Sequence, residues 1–137
     1  MKIQTRYKGN RRFASGNEYT DAVMDAAADA DGLAEAPSPK QMLLHSLAGC
    51  TGMDVVAILE KRGVKYKDFS IEVEGQQNNI HPKVFKTIDI IFTFTANPDD
   101  QTIIERAVAL SKKQFCGISR MLSKTAEITT SVIIIPE

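Results

Sequence analysis

The run Ser38-Pro39-Lys40-Gln41-Met42-Leu43-Leu44-His45-Ser46-Leu47-Ala48-Gly49-Cys50-Thr51-Gly52-Met53-Asp54-Val55-Val56-Ala57-Ile58-Leu59 decides the fold. Ser38 is a good N-cap, because its hydroxyl can accept a hydrogen bond from an unpaired N–H of the first turn. Pro39 takes the first helical position, where a missing N–H costs nothing, and Gln41 completes a capping box. The helix is expected to run to Arg62 and to stop at Gly63. Its apolar side chains point in almost every direction around the axis, the pattern of a helix buried on all sides. A small domain can hardly enclose such a helix alone, so a second subunit is expected to help cover it. His45 and Asp54 interrupt the run, and no stretch approaches the ~18 apolar residues of a membrane span.

Upstream, residues 2–9 and Arg11 to Ser15 read as two strands joined at the Gly9-Asn10 turn signal. Gly16-Asn17 marks a further turn, and Glu18 to Met24 reads as a third short strand. Residues 25–38 read as a solvated loop. Asp29-Ala30-Asp31-Gly32 lacks the spaced oxygen ligands and terminal Glu of a calcium loop.

Downstream, residues 67–76 and 83–95 alternate as strands, clearest in Ile71-Glu72-Val73-Glu74 and Thr87-Ile88-Asp89-Ile90. Asn97-Pro98-Asp99-Asp100 starts a second helix, with an Asn cap and acids in the first turn. Lys112 and Lys113 fall in its last turn, and Gly117 ends it just beyond Cys116. A short helix from Ser119 to Ser123 and a β-branched strand over 126–135 complete the chain. Helices and strands together give an α/β (α+β) fold in a single domain, 1–137.

The chain has 137 residues, enough for one hydrophobic core, and its 17 basic and 17 acidic side chains cancel. No basic patch suited to tracking phosphates stands out, so nucleic acid is not an expected partner. The N-terminal residues lack the apolar run of a signal peptide, and a cytoplasmic protein is expected. A structural disulfide is then not the first expectation for the two cysteines, and two inert buried thiols are the bland alternative. Gly49 and Gly52 flank Cys50 closely inside a helix, where each costs up to ~1 kcal/mol against Ala. They leave room for a substrate near the sulfur, or for close helix packing. Cys116 follows Lys112 and Lys113, which either favour its thiolate or simply face water. If the two sulfurs meet, a thiolate can attack a peroxide oxygen to give a sulfenic acid, which a second thiol condenses to a disulfide.

Other candidates have weaker claims. His45 lies roughly 140° around the helix from Cys50, a poor position for a general base. It reads as a core or interface histidine, and His81 as a surface one. Asp54 is one helical turn beyond Cys50; a buried acid needs a partner, and a structural pairing is expected. The cysteines and histidines have no metal-ligand spacing, so no metal is expected.

Ser38 to Leu44 followed by Leu47 to Leu59 resembles the central helix of OsmC-like proteins. His81-Pro82-Lys83-Val84-Phe85 resembles the start of a family strand. Ala107-Val108-Ala109-Leu110-Ser111 with Phe115-Cys116-Gly117-Ile118-Ser119 resembles the family's second cysteine segment. The resemblance covers the chain after Arg12. It implies an intertwined homodimer with long central helices wrapped by curved antiparallel sheets. It also implies thiol-dependent reduction of organic hydroperoxides, with Cys50 peroxidatic and Cys116 resolving. No cofactor is implied beyond an external thiol or lipoyl-type reductant. The peroxidase members also use an arginine and a glutamate. Gly9-Asn10-Arg11 resembles their Gly-Gly-Arg turn, which selects Arg11 over the adjacent Arg12. The acidic positions fall on Lys40 and Gln41, and neither supplies a carboxylate. That departure keeps open a non-catalytic ligand-binding protein or a stress-associated dimer of the same fold.

Overall fold

The computed structural model describes residues 1–16, 20–26, 32 and 34–137. The chain divides into two units, Met1–Leu43 and Leu44–Glu137.

The first unit carries an antiparallel meander of β1 (Gln4–Tyr7), β2 (Phe13–Gly16) and β3 (Asp21–Met24). Its register pairs Arg6 with Ala14 and Phe13 with Met24. β2 starts two residues later than expected. Gly9, Asn10 and Arg11 have φ of 86°, 51° and 60°, three left-handed residues that no strand accommodates. Neither Arg11 nor Arg12 therefore lies on a strand face. The segment after β3 is more than a solvated loop. Asp25 is buried, its Oδ2 accepts from the Glu35 N–H at 3.3 Å, and the Arg12 guanidinium lies 3.8 Å away. Asn17 to Tyr19 and the calcium-like Asp29 to Asp31 lie outside the described residues.

Helix α1 (Pro39–Arg62) has the expected ends. The Ser38 N–H donates to Gln41 Oε1 at 2.8 Å and the Gln41 N–H returns to Ser38 Oγ at 3.3 Å, so the capping box is closed. Gly63, at φ 71°, ends the helix by donating to the Glu60 carbonyl.

In the second unit, β4 (Tyr66–Gln77) and β5 (Phe85–Ala96) form a long hairpin, with Ile71 opposite Phe92. β6 (Glu127–Pro136) adds to the other side of β5 and runs parallel to it. That sheet is mixed rather than wholly antiparallel, because the chain between β5 and β6 crosses over through helices. The crossover begins with a tight turn at Pro98–Asp100, in which Asn97 Oδ1 accepts from the Asp99 N–H at 3.1 Å. Helix α2 (Gln101–Leu110), a wide π-helical turn at Ser111–Phe115 and helix α3 (Gly117–Leu122) follow.

Alternation along β5 turns Ile88, Ile90, Phe92 and Phe94 to one face, where they pack with Leu47, Val55 and Leu59 of α1 and Ile104 of α2. Within this chain α1 is buried on one side only. Met53 is 75% exposed and Leu43 45%. A single sheet covers a single face, so the all-round apolar pattern is not satisfied by these contacts. By length and composition α1 is also apolar enough to cross a membrane, contrary to the expectation from its sequence. One face of it, with Leu47, Val55 and Leu59, packs into the same core as β5.

Candidate functional site

Cys50 lies in the middle of α1, half-buried, and Cys116 lies 2% exposed between the π turn and α3. Both are free thiols. The two sulfurs and a carboxylate oxygen of Asp54 lie within 4.8 Å of one another. Two segments distant in sequence thus meet.

Local structure explains how each is held. Gly52 allows α1 to approach the sheet: a Cβ there would stand 2.8 Å from Ile71 Cδ1. A Cβ on Gly49 would meet nothing within 4 Å. The two glycines thus divide the roles proposed for them, one serving close packing and the other leaving space beside Cys50. On the opposite side, Ser111 opens the π turn and accepts the Cys116 N–H on its carbonyl at 2.9 Å. The turn is one residue wider than an α-turn, a local irregularity often found at functional sites. Cys116 is extended at φ −71°, ψ 102°, and its sulfur accepts from the Ser119 N–H at 3.3 Å. This cap starts α3 at Gly117, two residues before the position expected from Ser119.

Asp54 sits one turn beyond Cys50 on the same face of α1. Its partner is Ser111, whose hydroxyl donates to Asp54 Oδ2 at 3.1 Å. Burial is the main reason the Cys116 thiol is pushed up to about 12. Its hydrogen bond to Cys50 acts in the same direction, the Ser119 N–H opposes it, and the charges of Cys50 and Asp54 raise it further. Cys116 therefore holds its proton at neutral pH. Lys112 and Lys113 do not reverse this. Lys112 Nζ donates to the Ile128 carbonyl at 2.5 Å, and both lysines are exposed helix-end charges. A cavity of about 360 Å³ opens beside Cys116, lined in part by Lys113, Phe115 and Arg120.

Two thiols and a carboxylate are also donor types of metal sites, but no fourth His, Cys, Asp or Glu joins them among the described residues. His45 and His81 are exposed, so His45 is not a core residue of this chain. Leu47 is fully buried core and Met53 is exposed. Gln41 is engaged in the α1 cap, and Arg12 is paired with Glu35 at 2.7 Å and with Asp25. Arg11 is exposed on its left-handed turn in the first unit. Ser111 escaped the sequence reading, since nothing in the periodicity of α2 announces a π turn. Its only signal is a small polar residue where the apolar face should continue.

A family model described as "OsmC-like protein" matches residues 30–131. The chain belongs to the OsmC-like family. The protein YhfA of Escherichia coli is 33% identical over 97 residues, covering 71% of this chain and 72% of that one. Among solved structures, an OsmC-like protein from Mycoplasma pneumoniae superposes with a TM-score of 0.84 at 15% identity, covering 98% and 96% of the two chains. An organic hydroperoxide resistance protein OsmC from Legionella pneumophila gives 0.72 at 16% identity, covering 96% and 94%. At these identities the structures share the OsmC-like fold with this chain.

Proposed function

We propose that this OsmC-like chain, taken as one domain over 1–137, is a thiol-dependent reductase of organic hydroperoxides. The observation that carries the reading is the approach of Cys50 and Cys116 sulfurs to within 4.8 Å, short enough for a small rotamer change to bring them into bonding range. The names of the Legionella relative and of others like it supply the substrate class.

In the proposed cycle the Cys50 thiolate attacks the outer peroxide oxygen. The O–O bond breaks, the alcohol leaves with a proton, and Cys50 becomes a sulfenic acid. Cys116 then displaces the hydroxyl as water and closes the Cys50–Cys116 disulfide. An external thiol or lipoyl-type dithiol restores both cysteines by exchange. The greater exposure of Cys50 and the burial that holds the Cys116 proton support this division of labour. Arg11 would contribute a cation at the site, and a second copy would cover the Leu43 and Met53 face of α1 in a homodimer. The expected location is the cytoplasm.

The alternative, a ligand-binding protein without turnover, is favoured by Lys40 and Gln41 at the family's acidic positions. Steady-state consumption of cumene hydroperoxide with a dithiol reductant separates the two. Turnover that disappears in Cys50→Ser supports the reductase, and turnover retained in that variant overturns it. A small molecule carried through purification, with both thiols unreactive to peroxide, would favour the binding protein.

A further inference from the structure

We propose that Asp54 is the base that takes the Cys116 proton when that thiol attacks an oxidised Cys50, and that Ser111 positions both partners. The inference rests on the two-cysteine reading above and adds the residue that the resolving step requires.

The need for a base follows from Cys116 itself. Only a thiolate attacks sulfur efficiently. Burial, the largest influence on Cys116, persists after Cys50 is oxidised, and so does the Asp54 charge. Cys116 therefore still favours the thiol at pH 7, with little free thiolate to attack. The proton must therefore leave locally, as the bond forms.

Few groups near Cys116 can accept it. Lys112 is turned to the Ile128 carbonyl, while Lys113 and Arg120 line the adjoining cavity as cations. The Ser119 N–H is a donor. His45 is exposed and lies around the helix from Cys50. Asp54 alone among these is an acceptor, and its oxygen is within 4.8 Å of both sulfurs. It also provides a carboxylate that Lys40 and Gln41 do not.

Ser111 gives the arrangement its geometry. It is fully buried, its hydroxyl donates to Asp54 Oδ2 at 3.1 Å, and its carbonyl holds the Cys116 N–H at 2.9 Å. One residue thus fixes the base and the backbone of the thiol it serves. In the step itself, the Cys116 S–H bond breaks and the proton passes to the Asp54 carboxylate. The Cys116 sulfur pair forms the S–S bond, the Cys50 S–O bond breaks, and the departing hydroxide takes the proton from Asp54 as water. The hydroperoxide has already accepted the two electrons.

The test uses the full-length protein and 4,4′-dithiodipyridine, a neutral activated disulfide, so it does not depend on peroxide activity. Cys50 attack releases one thiopyridone, and Cys116 attack on the mixed disulfide releases the second. In wild type the second release is expected to vary little with pH near neutrality. Asp54→Asn should slow it about 100-fold at pH 7, the lower range for general-base catalysis. Its rate should then climb about tenfold per pH unit as hydroxide replaces the base. Asp54→Glu should restore most of the rate and the flat profile. Ser111→Ala, the check should Asp54→Asn fail to fold, should slow the release while keeping the profile flat. A wild-type rate and profile in Asp54→Asn, or in Ser111→Ala if only that variant folds, would overturn the proposal. If the wild type gives this pattern but no hydroperoxide turnover, the reductase reading fails and the role of Asp54 stands.

Discussion

The two cysteines occupy opposite kinds of structure. Cys50 lies in a regular 24-residue helix, half-buried, with open space at Gly49. Cys116 lies at a break between a π turn and a six-residue helix, almost wholly buried, its sulfur serving as a helix cap. Regular structure presents one thiol to solvent, and irregular structure buries the other and keeps it protonated. The difference gives two identical residue types unequal access and unequal surroundings, which is what the proposed division into an attacking and a resolving sulfur needs.

The largest effects should come from breaking this pair. Cys50→Ser is expected to abolish hydroperoxide turnover. Cys116→Ser should allow one equivalent of alcohol to form and leave Cys50 as a sulfenic acid, which a dimedone adduct would identify by mass. A dimedone adduct on Cys116 instead would reverse the assignment.

Next in size is the effect of burial on the Cys116 thiol. Iodoacetamide at pH 7 should label Cys50 well before Cys116, and Cys116 labelling should rise steeply as pH approaches 12. Stability carries the same signature. The folded state holds the Cys116 proton above the pH at which an unfolded thiol releases it, so the unfolded state binds fewer protons there. Stability should then fall as pH rises from about 9 towards 12, by at most ~1.4 kcal/mol per pH unit. Chemical denaturation of wild type and Cys116→Ser across that range would measure it, since the serine variant should lack this contribution.

The smallest effect sharpens the contrast between the glycines. Gly49→Ala meets open space and should stabilise the folded chain by up to ~1 kcal/mol through helix propensity. Gly52→Ala has the same propensity gain but must displace Ile71 Cδ1, so its net gain should be smaller or absent. Thermal melts of both variants would rank them, and equal shifts would show that α1 and β4 yield freely at Gly52.

What was legible in the sequence follows the same division. α1 could be read from Ser38 to Gly63 because its ends depend on local chemistry, a reciprocal cap and a left-handed glycine. The alternation in β4 and β5 and the Asn97 cap were similarly local. The departures arose where geometry depends on unusual backbone or on distant partners. Three left-handed residues displaced β2, and the sulfur cap advanced α3. The parallel pairing of β6 depends on a crossover that no local pattern specifies. At the site, Cys50 and Cys116 stood out by residue type and by resemblance to the family. Their proximity, and the part played by Ser111, required the packing of α1 against the π turn.

The most direct test of the account is intact-mass and peptide mapping of the reduced protein after one equivalent of cumene hydroperoxide. Rapid loss of two hydrogens and a single Cys50–Cys116 disulfide at stoichiometric yield is the expected result. Two free thiols after exposure, or a stable oxygen adduct on Cys50 with Cys116 still reduced, would contradict it.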